Sequence, residues 1–476
     1  MNWLCLIIDL INVDVYKKLN STLYGLFFLY KNVEFYKKGD YMIERDIYLK
    51  KLIEVKDNGF PKVITGVRRC GKSYLLKEIY KKYLLDNGIN DNNIFILELD
   101  DQKNSYYRDP IYLGDYIRNT CFGKTKCYVF IDEIQRVYSI INPALTEGKH
   151  IIAKDEDSEI VSFVDVVLGL SHEPNIDLYV TGSNSKMLST DIVTEFRDKA
   201  TNISLYPLSF EEFMSYTSLD EYRAINEYMQ YGGMPLAVLK KDEDKRIYLK
   251  GLFETTYFKD ILEHNHLKRS EALDELCNII SETTGELLNS QKLADTFKSV
   301  KHEDIDKRTV ESYISYFKDA FIISEARRYD VKGREEIGAL QKYYFIDTGL
   351  RNARLNFAFP DEGQMLENIV YNELIYNGYT VNVGTYDKVE KNKLGQSIRK
   401  TYEIDFLATK GNRQYYVQVS KDLSSEETKN RELKPYISLK DQIQKIIVIN
   451  RPINEMRDKN GFTIIGISDF LLRFIK

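Results

Sequence analysis

No stretch of this chain reaches the ~18–20 consecutive apolar residues that a membrane-spanning helix needs. Two apolar patches near its start, Trp3–Ile11 and Leu23–Tyr30, are broken or separated by Asp9, Asp14, Lys17 and Lys18. Neither has the basic flank or the small-residue cleavage site of a secretory signal. The globular pattern begins at Met42-Ile43-Glu44-Arg45. Met42 is therefore expected to be the native start and residues 1–41 an upstream read-through, with a weak membrane-surface anchor as the alternative.

Cysteine and histidine are scarce. The five cysteines (Cys5, Cys70, Cys121, Cys127, Cys277) show no C-x-x-C spacing. An odd, dispersed set points to reduced cytosolic thiols, hence a cytoplasmic protein, and to neither a disulfide frame nor a zinc site. The one close histidine pair, His264 and His266 beside Glu263, would point to different sides of a helix, which disfavours metal ligation. Excess positive charge is missing too: 67 Lys and Arg face 72 Asp and Glu, a net charge of −5. That balance argues against wholesale nucleic-acid coating and leaves room for a local basic patch. A chain of 476 residues is too long for one core, so roughly two to four domains are expected.

What is present is a phosphate loop. Gly66-Val67-Arg68-Arg69-Cys70-Gly71-Lys72-Ser73 fits G-x-x-x-x-G-K-[ST] at every fixed position. The apolar run Lys62–Thr65 before it reads as a buried strand, and Tyr74–Tyr80 after it opens a helical pattern. Strand, glycine loop and helix is the context this loop requires. The glycines let successive N–H groups face the phosphates, and the helix N-terminus adds partial positive charge. Lys72 is expected to reach the β- and γ-phosphates of ATP, and the Ser73 hydroxyl to ligate Mg²⁺. About sixty residues on, Cys127–Ile131 is a continuous apolar run of the kind a doubly covered parallel strand shows, and it ends in Asp132-Glu133. Carboxylates at that strand end lie beside the phosphate loop in an open α/β sheet. Asp132 is the expected Mg²⁺ partner, through water, and Glu133 the carboxylate that polarises the attacking water.

Along the chain, residues 44–56 read as a first helix, Ile94–Leu99 as a second strand, Asp109–Cys121 as a helix and 139–158 as a loop insertion. Val161–Leu170 reads as an amphipathic helix and Ile176–Gly182 as a strand running into Ser183 and Asn184. Strands alternating with helices argue a mostly parallel sheet. Ser183 and Asn184 sit where a short polar side chain can meet the γ-phosphate or the lytic water; both also cap helices well. Leu205–Leu208 reads as one more strand, and Ser209-Phe210-Glu211-Glu212 is a helix-start signature. Residues 210–284 are mainly helical, broken by a turn at Tyr231–Pro235. Ser290–Phe297, Lys307–Ala320, Phe321–Ala326 and Lys342–Ile346 read helix, helix, strand, strand, the order of a winged helix. Eleven basic and eleven acidic residues between Ser290 and Asp347 make interdomain packing at least as good a role for it as DNA reading.

With these motifs assembled, residues 42–476 resemble a prokaryotic family of AAA-type ATPases that join a phosphate-loop domain, a winged helix and a restriction-endonuclease-like domain. The resemblance rests on Gly66–Ser73, Phe130-Ile131-Asp132-Glu133-Ile134-Gln135 and Val180–Leu188, then Tyr206–Phe213, Gly232-Gly233-Met234-Pro235 and Tyr344–Leu350. It implies an α/β fold in five parts: an extension at 1–41, an ATPase core at 42–208, a helical lid at 209–284, a winged helix at 285–350 and a nuclease-like α/β domain at 351–476. The family is similar to F-R-G-R before Pro207, where this chain has Phe196-Arg197-Asp198-Lys199. Arg197 is thus the candidate for neutralising charge on the γ-phosphate, since Lys199 cannot form the bidentate fork. The turn at Gly233–Pro235 is similar to the nucleotide-responsive hinge of switch-type ATPases.

In the nuclease-like part the resemblance implies a helix carboxylate (Glu367), strand carboxylates (Glu403, Asp405) and then E-x-K on the next strand. Here that last element is Gln418-Val419-Ser420, with Lys421 one position late. Nuclease activity is therefore expected to be dead or crippled. The function expected is an ATP-hydrolysing switch or motor subunit, with a protein partner and a homo-oligomer both open. The alternatives are a DNA-processing protein with an auxiliary ATPase, and a scaffold that binds nucleotide without turnover.

Overall fold

The apolar runs around the glycine loop become strands buried on both faces. The computed structural model describes residues 43–476 except 155, 183–195, 197–198, 265–266, 268–270, 302–304, 359–360, 392–395 and 440. Its first strands are β1 (Lys62–Thr65), β2 (Ile94–Glu98) and β3 (Cys127–Asp132). A small ribbon, β4 (Ile140–Ile141) with β5 (Ile160–Val161), ties down the segment expected to be loop. Then come β6 (Ile176–Gly182) and β7 (Thr201–Ser204). The main sheet has the order β2-β3-β6-β1-β7, with every pair parallel. All residues of β1, β3 and β6 are buried, which is why their sequences are continuous apolar runs with no alternation. Lys62 and Asp177 among the polar exceptions are paired: the Lys62 ammonium on β1 bonds Asp177 on β6, and the Tyr179 hydroxyl donates to the same carboxylate at 2.7 Å.

Helices start where local capping chemistry says they should. Asp109 caps Pro110–Cys121, Ser162 and Asp165 form a capping box for Phe163–Ser171, and Ser209 and Glu212 form one for Phe210–Met214. One expectation is corrected. The last parallel strand is Thr201–Ser204, not Leu205–Leu208. Only one further ladder bond follows it, from Leu205 N–H to the Thr65 carbonyl at 2.7 Å, and Pro207 has no N–H with which to continue. The helical run beyond it includes Glu221–Tyr231, Asp242–Leu252, Phe253–Phe258 and Glu271–Glu282.

The helices Ser290–Thr296 and Lys307–Asp319 lead into a hairpin of β8 (Ile323–Asp330) and β9 (Glu335–Phe345), longer than the expected pair of short strands. β8 also pairs in parallel with β10 (Thr380–Lys391), from Val383 opposite Arg328 to Thr385 opposite Asp330. The hairpin is therefore the edge of an eight-stranded sheet. That sheet continues through β11 (Ser397–Lys410), β12 (Arg413–Ser420), β13 (Gln444–Ile449), β14 (Met456–Arg457) and β15 (Thr463–Gly466). The sequence segments 285–350 and 351–476 thus share one sheet. The helix Glu362–Tyr376 packs on it with ten buried side chains.

That helix also reaches the helices that follow the parallel sheet. The Glu373 carboxylate accepts from the Phe210 N–H at 2.5 Å and from the Tyr228 hydroxyl at 3.4 Å. Complete burial pushes this carboxyl up to about 8, against the opposing Phe210 N–H. The native state therefore holds the proton more tightly than the unfolded chain does, so this group's contribution to stability is full below pH about 4.5 and is lost as pH rises to about 8. Glu373→Gln keeps an acceptor and loses the charge. The variant should match wild type in melting temperature at pH 4 and exceed it, by a few kcal/mol in stability, above pH 8. Parallel melting curves across that range would refute the assignment.

Candidate functional site

The glycine loop leaves β1 at Thr65 and turns back through left-handed backbone. Gly66 has φ 148°, and a Cβ there would lie 2.0 Å from the Leu205 carbonyl oxygen, so only glycine fits. Arg69 (φ 63°) and Gly71 (φ 101°) complete the curl, and the helix begins at Lys72 with Gly71 as its cap. Lys72 is buried, its ammonium donating to the carbonyls of Gly66 at 2.8 Å and Val67 at 3.1 Å. These bonds hold a full positive charge at the mouth of the loop, where a phosphate oxygen can replace the carbonyls as acceptor. Cys70, in the middle of the loop, is buried, and burial raises its thiol above the ordinary range, so it is packing and not a nucleophile.

The two halves of the expected site meet. The Ser73 hydroxyl donates to Asp132 Oδ1 at 2.9 Å. Thr181, at the end of β6, donates to the same oxygen at 2.5 Å and accepts the Glu133 N–H at 3.1 Å. Glu133 itself takes left-handed backbone (φ 57°), which turns its side chain off the strand, and its carboxylate accepts from the Gln135 amide. Asp132 is buried, and Lys77 pairs with it at 2.9 Å and with Glu98 at 2.8 Å. Burial works against the Lys77 ammonium, but its bonds to Glu98 and Asp132 outweigh that and hold it above its ordinary value.

The structure therefore brings Gly66–Ser73, Asp132 and Glu133 together. Ser183, Asn184 and Arg197 lie outside the described residues; Lys199 is exposed. Thr181, Lys77 and Glu98 escaped sequence reasoning. Lys77 had a signal, since it stands four residues after Ser73 and so on the same helix face. Thr181 was masked by the more obviously polar Ser183 and Asn184 that follow it.

Buried contacts run from the loop outward. Arg45 donates to the Cys70 carbonyl at 3.2 Å and the Tyr206 carbonyl at 2.7 Å, and pairs with Glu212 at 3.0 Å. The Tyr257 hydroxyl donates to the Arg68 carbonyl at 2.8 Å and lies 4.0 Å from Met234 Sδ. Met234 belongs to the Gly232–Pro235 turn, whose Gly233 N–H donates to Asp347 at 2.6 Å. Asp347 also caps the helix Thr348–Arg354 through the Leu350 N–H at 3.0 Å. Burial pushes its carboxyl up to about 6 against these donors. Gly232 (φ 69°) has no room for a Cβ, which would stand 2.1 Å from Asp347 Oδ1. The two distant motifs, Gly232–Pro235 and Tyr344–Leu350, thus interlock.

An uncharacterized protein of Haemophilus influenzae is 30% identical to this chain over 440 residues, which is 91% of this chain and 99% of that protein. The family model described as "AAA domain" matches residues 58–214, the segment that holds β1 to β7 and the loop. The chain belongs to this AAA-type P-loop ATPase family. An uncharacterized protein of Methanocaldococcus jannaschii is similar at 28% identity over 456 residues, covering 92% of this chain and 90% of its own length. A second family model, described as a domain of unknown function, matches residues 222–361. In this AAA-type chain that stretch runs from the helix Glu221–Tyr231 through the β8–β9 hairpin to the helix Thr348–Arg354. Among solved structures, the Aeropyrum pernix Orc1 protein in complex with DNA is similar at a TM-score of 0.30 and 10% identity, over 66% of this chain and 93% of that one. That level of likeness bears on neither site nor partner.

Proposed function

We propose that the chain binds MgATP at Gly66–Ser73, hydrolyses it with Glu133, and acts as a nucleotide-dependent switch. The observation that carries this is the 2.9 Å bond between Ser73 and Asp132, 59 positions apart in sequence and joined at the loop mouth. A hydroxyl and a carboxylate so placed are the oxygen donors a hard cation takes, so Ser73 and Asp132 would hold Mg²⁺. The metal would supply charge neutralisation on the β- and γ-phosphates.

The chain's own residues do the rest. Loop N–H groups and the helix N-terminus bind the phosphates, and Lys72 gives up its carbonyl partners to pair with them. Glu133 accepts hydrogen-bonding from the attacking water and raises its nucleophilicity. Ser183 or Asn184 as γ-phosphate sensor, and Arg197 as the charge-stabilising arginine, complete the reading from sequence.

Support for a switch comes from Tyr257. It touches the loop at Arg68 and the Gly232–Pro235 turn at Met234, so a loop that reshapes around phosphate pulls on the turn that Asp347 clamps. The test is amide hydrogen exchange at residues 232–238 with ADP and with a non-hydrolysable ATP analogue, alongside phosphate release. Exchange at Gly233 and Met234 should differ between the two nucleotides. Identical protection in both states would refute the switch while leaving binding and turnover to be judged by phosphate release.

A further inference from the structure

Beneath the β8–β9 hairpin three acidic side chains converge on a single cation of the chain itself. Lys342, on β9, is 2% exposed. Its ammonium stands 2.9 Å from Glu367, 2.7 Å from Glu403 and 4.0 Å from Asp405. The three carboxylates come from two elements, the helix Glu362–Tyr376 and strand β11, and Lys342 brings in a third. Tyr344, two residues on and so on the same face of β9, adds a hydroxyl bond to Glu367 at 2.6 Å. Asp405 accepts the Val419 N–H at 2.7 Å on its other oxygen.

These carboxylates are the ones that sequence likeness marks for a divalent metal, and the arrangement does not fit one. One oxygen of Glu367 and one of Glu403 already face the ammonium. A cation placed 2.0–2.6 Å from those oxygens would crowd a second positive charge that is itself buried. The remaining positions of that pattern supply no further anion to the group. Gln418 is neutral and donates its amide to Glu432 at 3.1 Å, and Ser420 donates to the Asp422 carbonyl at 3.0 Å. Lys421, the late lysine, is exposed and pairs with Glu362 at 2.5 Å. Among the described residues no group of three or more His, Cys, Asp or Glu is set out to hold a metal ion.

We propose that Lys342 is the resident cation of this carboxylate group, taking the place of a divalent metal and excluding one. The ammonium is the pin that joins the hairpin to the helix and to β11, and the C-terminal sheet is metal-independent.

The test is Mn²⁺ titration of the nucleotide-free full-length protein, followed by electron paramagnetic resonance, for wild type, Asp405→Asn, Lys342→Met and the double variant. Wild type and Asp405→Asn should bind Mn²⁺ identically, any weak binding at Ser73 and Asp132 being common to both. Lys342→Met should gain a site that the double variant loses, with a Mn²⁺-dependent rise in melting temperature that wild type does not show. Mn²⁺ bound in wild type and lost in Asp405→Asn would overturn the proposal. So would a folded Lys342→Met with no gained site. Should that variant fail to fold, the wild-type and Asp405→Asn comparison alone decides.

Discussion

Replacing Lys72 with alanine should weaken ATP binding by about 10- to 100-fold. The ammonium is the one full positive charge buried in the loop, within reach of both loop carbonyls at 2.8 and 3.1 Å. A phosphate oxygen that takes their place gains a charge-assisted hydrogen bond worth about 1.5–3 kcal/mol, and each ~1.4 kcal/mol is tenfold in affinity. Truncation also leaves the Gly66 and Val67 carbonyls without their donor, so the loop loses part of what holds its curl. Calorimetry with MgATP measures the loss, and affinity within a factor of about three of wild type, on RT of ~0.6 kcal/mol per e-fold, would reject the site.

Glu133→Gln should separate turnover from binding. The side chain is turned off the end of β3 by left-handed backbone, and its N–H is fixed by Thr181. A glutamine fills the same space and keeps the backbone contact, so the phosphate-binding groups are untouched. What disappears is the anionic acceptor for the water proton, a contribution of ~10²–10⁴ in rate. Calorimetric affinity should be unchanged while phosphate release falls by that factor. Wild-type turnover in this variant would move the role to Asp132 or to Ser183.

Those two predictions draw on the part of the chain most legible in its sequence. A phosphate loop is legible because its chemistry sits at fixed spacing on one continuous segment, and Asp132-Glu133 because a buried strand announces itself as an apolar run. The capping box at Ser209 was readable for the same reason. Other features depend on pairings between segments far apart in the chain. The strand before Pro207 lay four residues upstream of its expected place, since edge position and the proline set its limit. β8 and β9 ran longer than their apolar cores because the ladder carries polar residues such as Arg327 and Gln341 in register. In sequence Lys342 only opens a short strand; the register of β9 against β8, and of β8 against β10, turns it toward Glu367, Glu403 and Asp405.

The shared sheet has a consequence for biosynthesis. β8 and β9 leave the ribosome well before β10, and they are the edge pair of a sheet whose other strands do not yet exist. Until Thr380–Lys391 emerges, the side of β8 that will pair with Val383–Thr385 presents unpaired backbone groups, and Lys342 lacks two of its three carboxylates, Glu403 and Asp405. A nascent chain halted near residue 350 would carry a complete nucleotide loop and an open strand edge, the combination that invites pairing with another copy. The ATPase core is finished early, and the sheet beside it closes only when the last quarter of the polypeptide arrives.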